Sequence, residues 1–170
     1  TLVSGPTHLS LKAWQAFCPL HIKNIVSSAE MCEATVQAFL QVDAAILCAA
    51  VADFTPCNTA DKKNKKQPGQ TGMSIDLTTT TDIAATLGKM KGKQLLVGFA
   101  LETHNELANA ERKLQSKNLD MIVLNSLQDA GAGFGVDTNK VTFLYKDGTK
   151  KHLPLLSKQE VADAIIDQIY

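Results

Sequence analysis

The sequence predicts an α/β protein with a largely parallel sheet flanked by helices. Apolar segments of strand length alternate along the chain with segments of helical periodicity, which is the pattern of βαβ units. The apolar run from Ala44 to Val51 is continuous rather than alternating, as in a strand that is covered on both faces. A chain of 170 residues with 45% hydrophobic residues can bury one full core, so we expect a single domain over residues 1–170.

The elements follow in order from local patterns. Strands are predicted over residues 1–4, 21–26, 43–51, 74–79, 94–101, 121–127 and 140–145. Helices are predicted over 27–41, 82–90 and 105–118 and from 157 to the end. Ser27 with Glu30, and Ser157 with Glu160, have the spacing of a capping box, and Thr80 or Thr81 is expected to cap the second helix. The strand over 43–51 is expected to be central, and a long polar loop is expected over 54–73.

Charge and composition exclude some classes of function. Lysine plus arginine equals aspartate plus glutamate at 17 each, which argues against a general nucleic-acid-binding protein. The longest apolar run, 44–52, is too short to span a bilayer, and no signal peptide is visible, so a cytoplasmic protein is expected. The four cysteines form no CxxC pair, and no metal ligands can be assigned.

A carboxylate and a lysine-rich loop follow the central strand. Asp53 ends the segment Ala49-Ala50-Val51-Ala52-Asp53-Phe54, and Lys63-Asn64-Lys65-Lys66 comes ten residues later. Open α/β sheets bind ligands at the carboxyl ends of their strands, and lysine suits phosphate oxygens. The pattern therefore favours a phosphorylated ligand, although a charge run is also typical of a solvated loop.

Two further features point to the same kind of ligand. Lys113 and Lys117 are four residues apart on a predicted helix, so they share one face. Their like charges repel each other unless a polyphosphate lies between them. Two exposed lysines are the alternative. Phe99 follows Gly98 near a strand end and either stacks on a base or fills the core. The glycine-rich segment 131–139 precedes a strand rather than a helix, so we interpret it as a turn or a subunit contact.

Taken together, these segments resemble phosphopantothenate-cysteine ligase, the synthetase half of the bacterial bifunctional coenzyme A biosynthesis flavoprotein. The matching pieces are SGPTHL, AAVADF, KNKK, VGFALET, the helix with Lys113 and Lys117, LDMIVLN and GFGVDTNKVTFL. The resemblance implies a Rossmann-like fold and a magnesium- and CTP-dependent reaction. In it, the carboxylate of 4′-phosphopantothenate forms an acyl-cytidylate, which L-cysteine then attacks.

The resemblance also implies roles for particular residues. Lys63 corresponds to a catalytic, phosphate-binding lysine, and Asp53 to a carboxylate on the base or ribose. The other nucleotide-binding positions that it implies are Ala50, Thr81, Asp82, Ile83, Ala84, Phe99, Lys113 and Lys117. It further implies a homodimer, with the GFGVDTN segment at the contact, and FMN only where a decarboxylase half is fused.

One departure from the family pattern is large. The segment expected before the Thr1 strand, with a first GPT motif, an asparagine that holds the acyl-cytidylate and a glycine loop, is not in this sequence. The chain is therefore expected to be a ligase domain that lacks its first strand and helix, and the activity of this chain alone is in question. A non-catalytic nucleotide-binding or dimer-forming remnant is the alternative function, and a nucleic-acid-binding module that uses Lys62 to Lys66 is the third.

Overall fold

The computed structural model describes residues 1–11, 19–102, 104–126 and 135–170. Its strands are β1 (Leu2–Ser4), β2 (Ile22–Asn24), β3 (Ala44–Leu47), β4 (Phe54–Pro56), β5 (Leu77–Thr79), β6 (Leu95–Glu102), β7 (Met121–Ser126), β8 (Thr138–Asn139), β9 (Val141–Tyr145), β10 (Lys150–His152) and β11 (Leu156–Ser157). Its helices are α1 (Ser28–Phe39), α2 (Ile83–Met90), α3 (Glu106–Ser116) and α4 (Lys158–Ile166).

The largest sheet has five strands in the order β10-β9-β7-β6-β3. The strands β3, β6 and β7 run parallel, whereas β9 and β10 are antiparallel additions at the other side. The parallel part confirms the predicted α/β Rossmann-like fold, although the sheet as a whole is mixed. Because the parallel strands point the same way, their carboxyl ends meet along one edge, where ligand-binding loops are expected.

Two apolar clusters cover the two faces of this sheet. Side chains alternate across a strand, so Ile122 and Leu124 of β7 join the cluster beneath α1, α2 and α3. Met121 and Val123 of the same strand join a second cluster with Val161 and other residues of α4. The sheet is therefore held between helices on both faces, which fixes the edge that carries the site.

The predicted capping boxes are confirmed, but the predicted cap of the second helix is wrong. Ser27 and Ser157 cap α1 and α4, each with the reciprocal glutamate bond. Asp82, rather than Thr80 or Thr81, caps α2, and its Oδ1 accepts the Ala85 N–H at 2.9 Å. The hydroxyl of Thr80 donates instead to the Ala52 carbonyl at 2.6 Å, which places Thr80 outside the helix.

The strand predicted over 43–51 is shorter in the structure and lies at the edge of the sheet instead of its centre. β3 ends at Leu47, and it is the edge strand of the five-stranded sheet in the described part of the chain. Residues 48–53 continue without strand pairing, and β4 lies at the start of the predicted polar loop. It pairs antiparallel with β5, which forms the end of the strand predicted over 74–79. β1 and β2 form a separate parallel pair that is not hydrogen-bonded to β3.

The glycine-rich segment is described only in part, and its subunit contact stays a prediction. Residues 131–134 of the glycine-rich segment lie outside the described residues, whereas Thr138 and Asn139 pair with β11 within the chain. None of the helices in the described ranges has the length and apolar character that crossing a bilayer requires.

Candidate functional site

A cavity of about 660 Å³ opens beside β3, at the carboxyl edge of the parallel strands. This volume is in the range of small-molecule sites in proteins. Its walls come from β1, α1, β3, the start of α2, the middle of β6 and the end of α3. The sequence-predicted residues on the walls are Asp53, Thr81, Asp82, Ile83, Ala84, Phe99, Lys113 and Lys117.

The start of α2 contributes a polar wall. Burial opposes the charge of Asp82, but the Ala85 N–H, Lys117 and the Ala84 N–H outweigh it and lower the pKa of that carboxyl group. The carboxylate is therefore ionised at neutral pH and lies at the positive end of the helix dipole. Asp82 thus stabilises α2 and places a fixed negative charge on the cavity wall.

Both predicted lysines lie on the cavity, and each contacts a carboxylate from another element. Lys117 Nζ lies 3.0 Å from Asp82 Oδ2. Lys113 Nζ lies 2.6 Å from Glu102 Oε1. The two ammonium groups are therefore not left to repel each other, and the alternative that both are simply solvated surface lysines does not describe them.

Glu102 was missed by the sequence reasoning. It is the last residue of β6, and only 12% of its side chain is exposed. The signal in the sequence is a carboxylate that ends a buried strand, three residues after Phe99.

Phe99 and Gly98 belong to the cavity rather than to the deep core. Phe99 is 36% exposed, and by alternation along β6 its side chain lies on the same face as Val97. Its stacking on a ligand stays a prediction. The close approach at Gly98 is made by the protein itself, since a Cβ there would lie 2.8 Å from Leu119 Cδ1. Gly98 is therefore needed for packing beneath the cavity.

Two predicted site residues are not brought together with the others. Lys63 lies in a separate surface hollow lined by residues 60–65, Gln67, Gln70 and Met73. Ala50 is exposed and is not on the cavity wall, although its neighbours Ala49 and Val51 are. The roles assigned to Lys63 and Ala50 stay predictions.

The charges on the cavity wall nearly cancel. Asp53 and Asp82 share the wall with Lys113 and Lys117, and Glu102 accepts a hydrogen bond from the Lys113 ammonium. Within the described ranges, no three histidine, cysteine or acidic side chains converge as a metal cluster. The arrangement can hold an anionic group near the lysines, with a cation that arrives with that anion.

Comparison with known proteins identifies the family. Residues 1–170 match the family described as the DNA/pantothenate metabolism flavoprotein C-terminal domain. The chain belongs to this family. A relative from Bacillus subtilis, the coenzyme A biosynthesis bifunctional protein CoaBC, is 46% identical over 99% of the chain and 40% of its own length. A relative from an unknown prokaryotic organism is 54% identical over 99% of the chain and 46% of its own length, and it carries the name cysteine/cysteine sulfinic acid decarboxylase.

Solved structures agree with the fold of this C-terminal domain family. The crystal structure of the C-terminal domain of CoaBC is 44% identical, with a TM-score of 0.75 over 99% of this chain and 73% of that one. A Cab2 variant in complex with phosphopantothenate-cysteine has a TM-score of 0.66 at 15% identity, over 93% of this chain and 55% of that one, and therefore supports the fold alone. The chain spans less than half the length of the two curated relatives described above.

Proposed function

We propose that this domain is a phosphopantothenate-cysteine ligase that acts in coenzyme A biosynthesis, with CTP as the activating nucleotide. One observation carries the proposal: a single cavity gathers all the predicted nucleotide-binding residues except Ala50 and Lys63. Membership of the family, and the names of the CoaBC relatives, support the same reaction class.

The proposed roles follow from the chemistry of each wall. Phe99 and the backbone of Ala49 frame a small pyrimidine, while Asp53 accepts hydrogen bonds from the base or ribose. Lys113 and Lys117 contact the phosphate tail, because ammonium groups form charge-assisted hydrogen bonds with phosphate oxygens. Thr81, Ile83 and Ala84 bring the nucleotide against the start of α2, and Ala50 belongs to the same segment as Asp53.

The proposed reaction has two steps. A carboxylate oxygen of 4′-phosphopantothenate attacks the α-phosphorus of CTP, the bond to the bridging oxygen breaks, and pyrophosphate leaves. The amine of L-cysteine then attacks the activated acyl carbon, the amide bond forms, CMP leaves and the amine proton is lost to solvent. Both reactants of the first step are anionic, so cations at the meeting point lower its barrier. We assign this role to Lys63, which requires the lysine loop to reach the cavity.

The ion and the larger assembly are part of the proposal. Mg²⁺ in nucleotide sites is usually held by phosphates and water with one or two carboxylates. Asp53 and Asp82 on the wall fit that limited contribution. We also propose a cytoplasmic homodimer, and an FMN-binding decarboxylase half where such a half is fused. The decarboxylase name of one relative applies to a protein that this chain covers by less than half.

Competition between nucleotides tests the proposal. CTP in the presence of Mg²⁺ is expected to bind more tightly than ATP, because Phe99 and the adjacent backbone frame a small ring. Equal or tighter binding of ATP would overturn the assignment of CTP.

Pyrophosphate release separates the ligase from the alternative of a non-catalytic nucleotide-binding remnant. With CTP, 4′-phosphopantothenate and Mg²⁺, a ligase is expected to release pyrophosphate, whereas a remnant is expected to bind CTP without releasing it. The protein with the preceding segment that the resemblance implies should turn over. If that longer protein binds CTP without releasing pyrophosphate, the remnant is the correct function.

A further inference from the structure

Glu102 makes its contacts to one helix through both carboxylate oxygens. Oε1 accepts the Lys113 ammonium at 2.6 Å, and Oε2 accepts the Asn109 side-chain amide at 3.2 Å. Both partners lie on α3, whereas Glu102 ends β6. The end of a strand in the main sheet is thereby tied to the helix that carries the two predicted phosphate-binding lysines.

The two lysines on the cavity are held differently. Asp82, the partner of Lys117, is 49% exposed, so water can solvate it when the lysine moves away. Glu102 is only 12% exposed, and an unpaired carboxylate that is so nearly buried is costly. Lys113 is therefore the fixed lysine of the two, and Lys117 is the one that can be exchanged.

Lys113 remains available to a ligand although it is fixed. Its side chain is 39% exposed and lies on the cavity wall. An ammonium group has three N–H donors, and the Glu102 contact needs one of them. The others can be offered to an anion without reorganisation of the side chain.

We propose that Glu102 is a positioning residue that holds the Lys113 ammonium in place for the polyphosphate of the nucleotide. This inference rests on the proposed function, because it takes the anion in the cavity to be the phosphate tail. Glu102 itself does not touch the nucleotide. Its contribution is to remove the ordering cost that a long, flexible lysine would otherwise add to binding.

The direction in which a substitution changes nucleotide affinity distinguishes this role from simple electrostatics. Glu102→Gln removes a negative charge near an anionic ligand, so a purely electrostatic effect would tighten nucleotide binding. Loss of positioning would weaken it. At about 0.5 M sodium chloride the screening length falls to roughly 4 Å, but salt screens a nearly buried carboxylate less than an exposed one. The variant that isolates the positioning loss is therefore Glu102→Asp, which keeps the negative charge.

The experiment measures CTP binding with Mg²⁺ by titration calorimetry at low and high salt. Glu102→Gln and Glu102→Asp are each expected to weaken binding by roughly 3- to 10-fold at high salt, the cost of ordering one long side chain. Glu102→Asp keeps the charge but shortens the reach, so it separates geometry from charge. The matched control is Glu111→Gln on the same helix. It removes the 2.6 Å ion pair between Glu111 and Lys150 of β10 and should change binding less than about 2-fold.

A double variant and a labelling measurement complete the test. In a Lys113→Met background, Glu102→Gln should produce no further loss, because the residue acts through Lys113. Acetylation of Lys113, followed by mass spectrometry, should be faster in Glu102→Gln than in wild type or Glu111→Gln. Thermal melting of each variant checks that it is folded.

The outcomes separate this inference from the proposed function. If the wild-type chain binds no CTP, the proposed function falls with it, and the labelling rate still decides whether Glu102 fixes Lys113. If wild type binds CTP but the Glu102 variants bind equally well or more tightly at high salt, the positioning role is overturned. It is also overturned if Lys113 labelling does not change.

Discussion

Two groups of lysines in this domain have opposite surroundings. Lys113 and Lys117 lie on the end of a packed helix, and each is within 3.0 Å of a carboxylate. Lys62, Lys63, Lys65 and Lys66 lie on an exposed loop that lines a separate hollow. The helix pair lies on the cavity wall in this structure, whereas the proposed role of Lys63 requires the loop to move. The difference suggests that binding and chemistry are assigned to different lysines.

The largest expected effect is the loss of turnover when Lys63 of the loop is replaced. If Lys63 stabilises charge only as the acyl-cytidylate forms, Lys63→Ala in a protein that turns over should lower turnover by roughly 10²–10³-fold. CTP affinity should change much less, because the helix lysines supply the ground-state contacts. Turnover and CTP binding are measured side by side, with Lys62→Ala as the control in the same loop. An equal loss of affinity and turnover in Lys63→Ala would break the proposed division between the two groups.

The helix pair should affect binding itself. Lys113→Ala or Lys117→Ala is expected to cost about 1–3 kcal/mol of CTP binding, as a charge-assisted contact does, and less of CMP binding. Calorimetry with both nucleotides checks this. If CMP and CTP lose affinity equally, the lysines do not contact the phosphate tail.

The same two variants should differ in stability. Lys113→Ala leaves the nearly buried Glu102 without its cation, whereas Lys117→Ala leaves the half-exposed Asp82. The melting temperature should therefore fall further for Lys113→Ala. Equal melting temperatures would show that the two pairs are energetically alike.

The position of the helix pair depends on a close contact at Gly88. A Cβ at Gly88 would lie 1.9 Å from the Lys117 carbonyl oxygen, so that the backbone after α3 would have to shift. Gly88→Ala should cost about 1–3 kcal/mol of unfolding free energy, as overpacking does. It should weaken CTP binding without altering the loop lysines. Denaturant titration and calorimetry test it, and Gly72→Ala, where nothing lies near the added Cβ, is the control.

The smallest expected effect is the pH-dependent contribution of Asp82 to the free energy of unfolding. Its folded-state pKa is lowered from 3.8, so its contribution to stability is complete above that value and is lost as the pH falls through the lower folded pKa. Asp82→Ala should cost about 1 kcal/mol at neutral pH, and Asp82→Asn much less, because asparagine also caps helices. The difference between wild type and Asp82→Ala should shrink in acid. A constant difference from neutral pH to below the folded pKa would show that the charge of Asp82 contributes nothing.

Local patterns predicted most of the fold. The two serine–glutamate capping boxes and the apolar strands β6 and β7 were correct because hydrogen bonds and burial within a few residues determine them. The extent and place of β3 were not predictable in this way, since its pairing with β6 and its edge position depend on distant segments.

The site was predictable in part. Asp53, Phe99 and the helix lysines could be identified from sequence patterns, although β3 ends six residues before Asp53 and Phe99 lies in the middle of β6. The partners of the lysines come from other elements. Glu102 and Lys113 are eleven positions apart, and Asp82 and Lys117 are farther apart still. The place of Lys63 could not be predicted because its loop buries little. Met73 and Ile75 of that loop are more than half exposed, so no packing pattern fixes its path.

Asp82 contacts both the Ala85 N–H and the Lys117 ammonium, so it does not depend on Lys117 alone. When an anion draws the ammonium away, Asp82 keeps its hydrogen bond to the Ala85 N–H and its place at the start of α2. The exchange therefore has little penalty, and the helix retains its first turn throughout. Lys117 can therefore exchange its contact with Asp82 for one with an anion, because Asp82 keeps its hydrogen bond to the helix. On this basis a polyphosphate could bind and dissociate while the start of α2 stays folded.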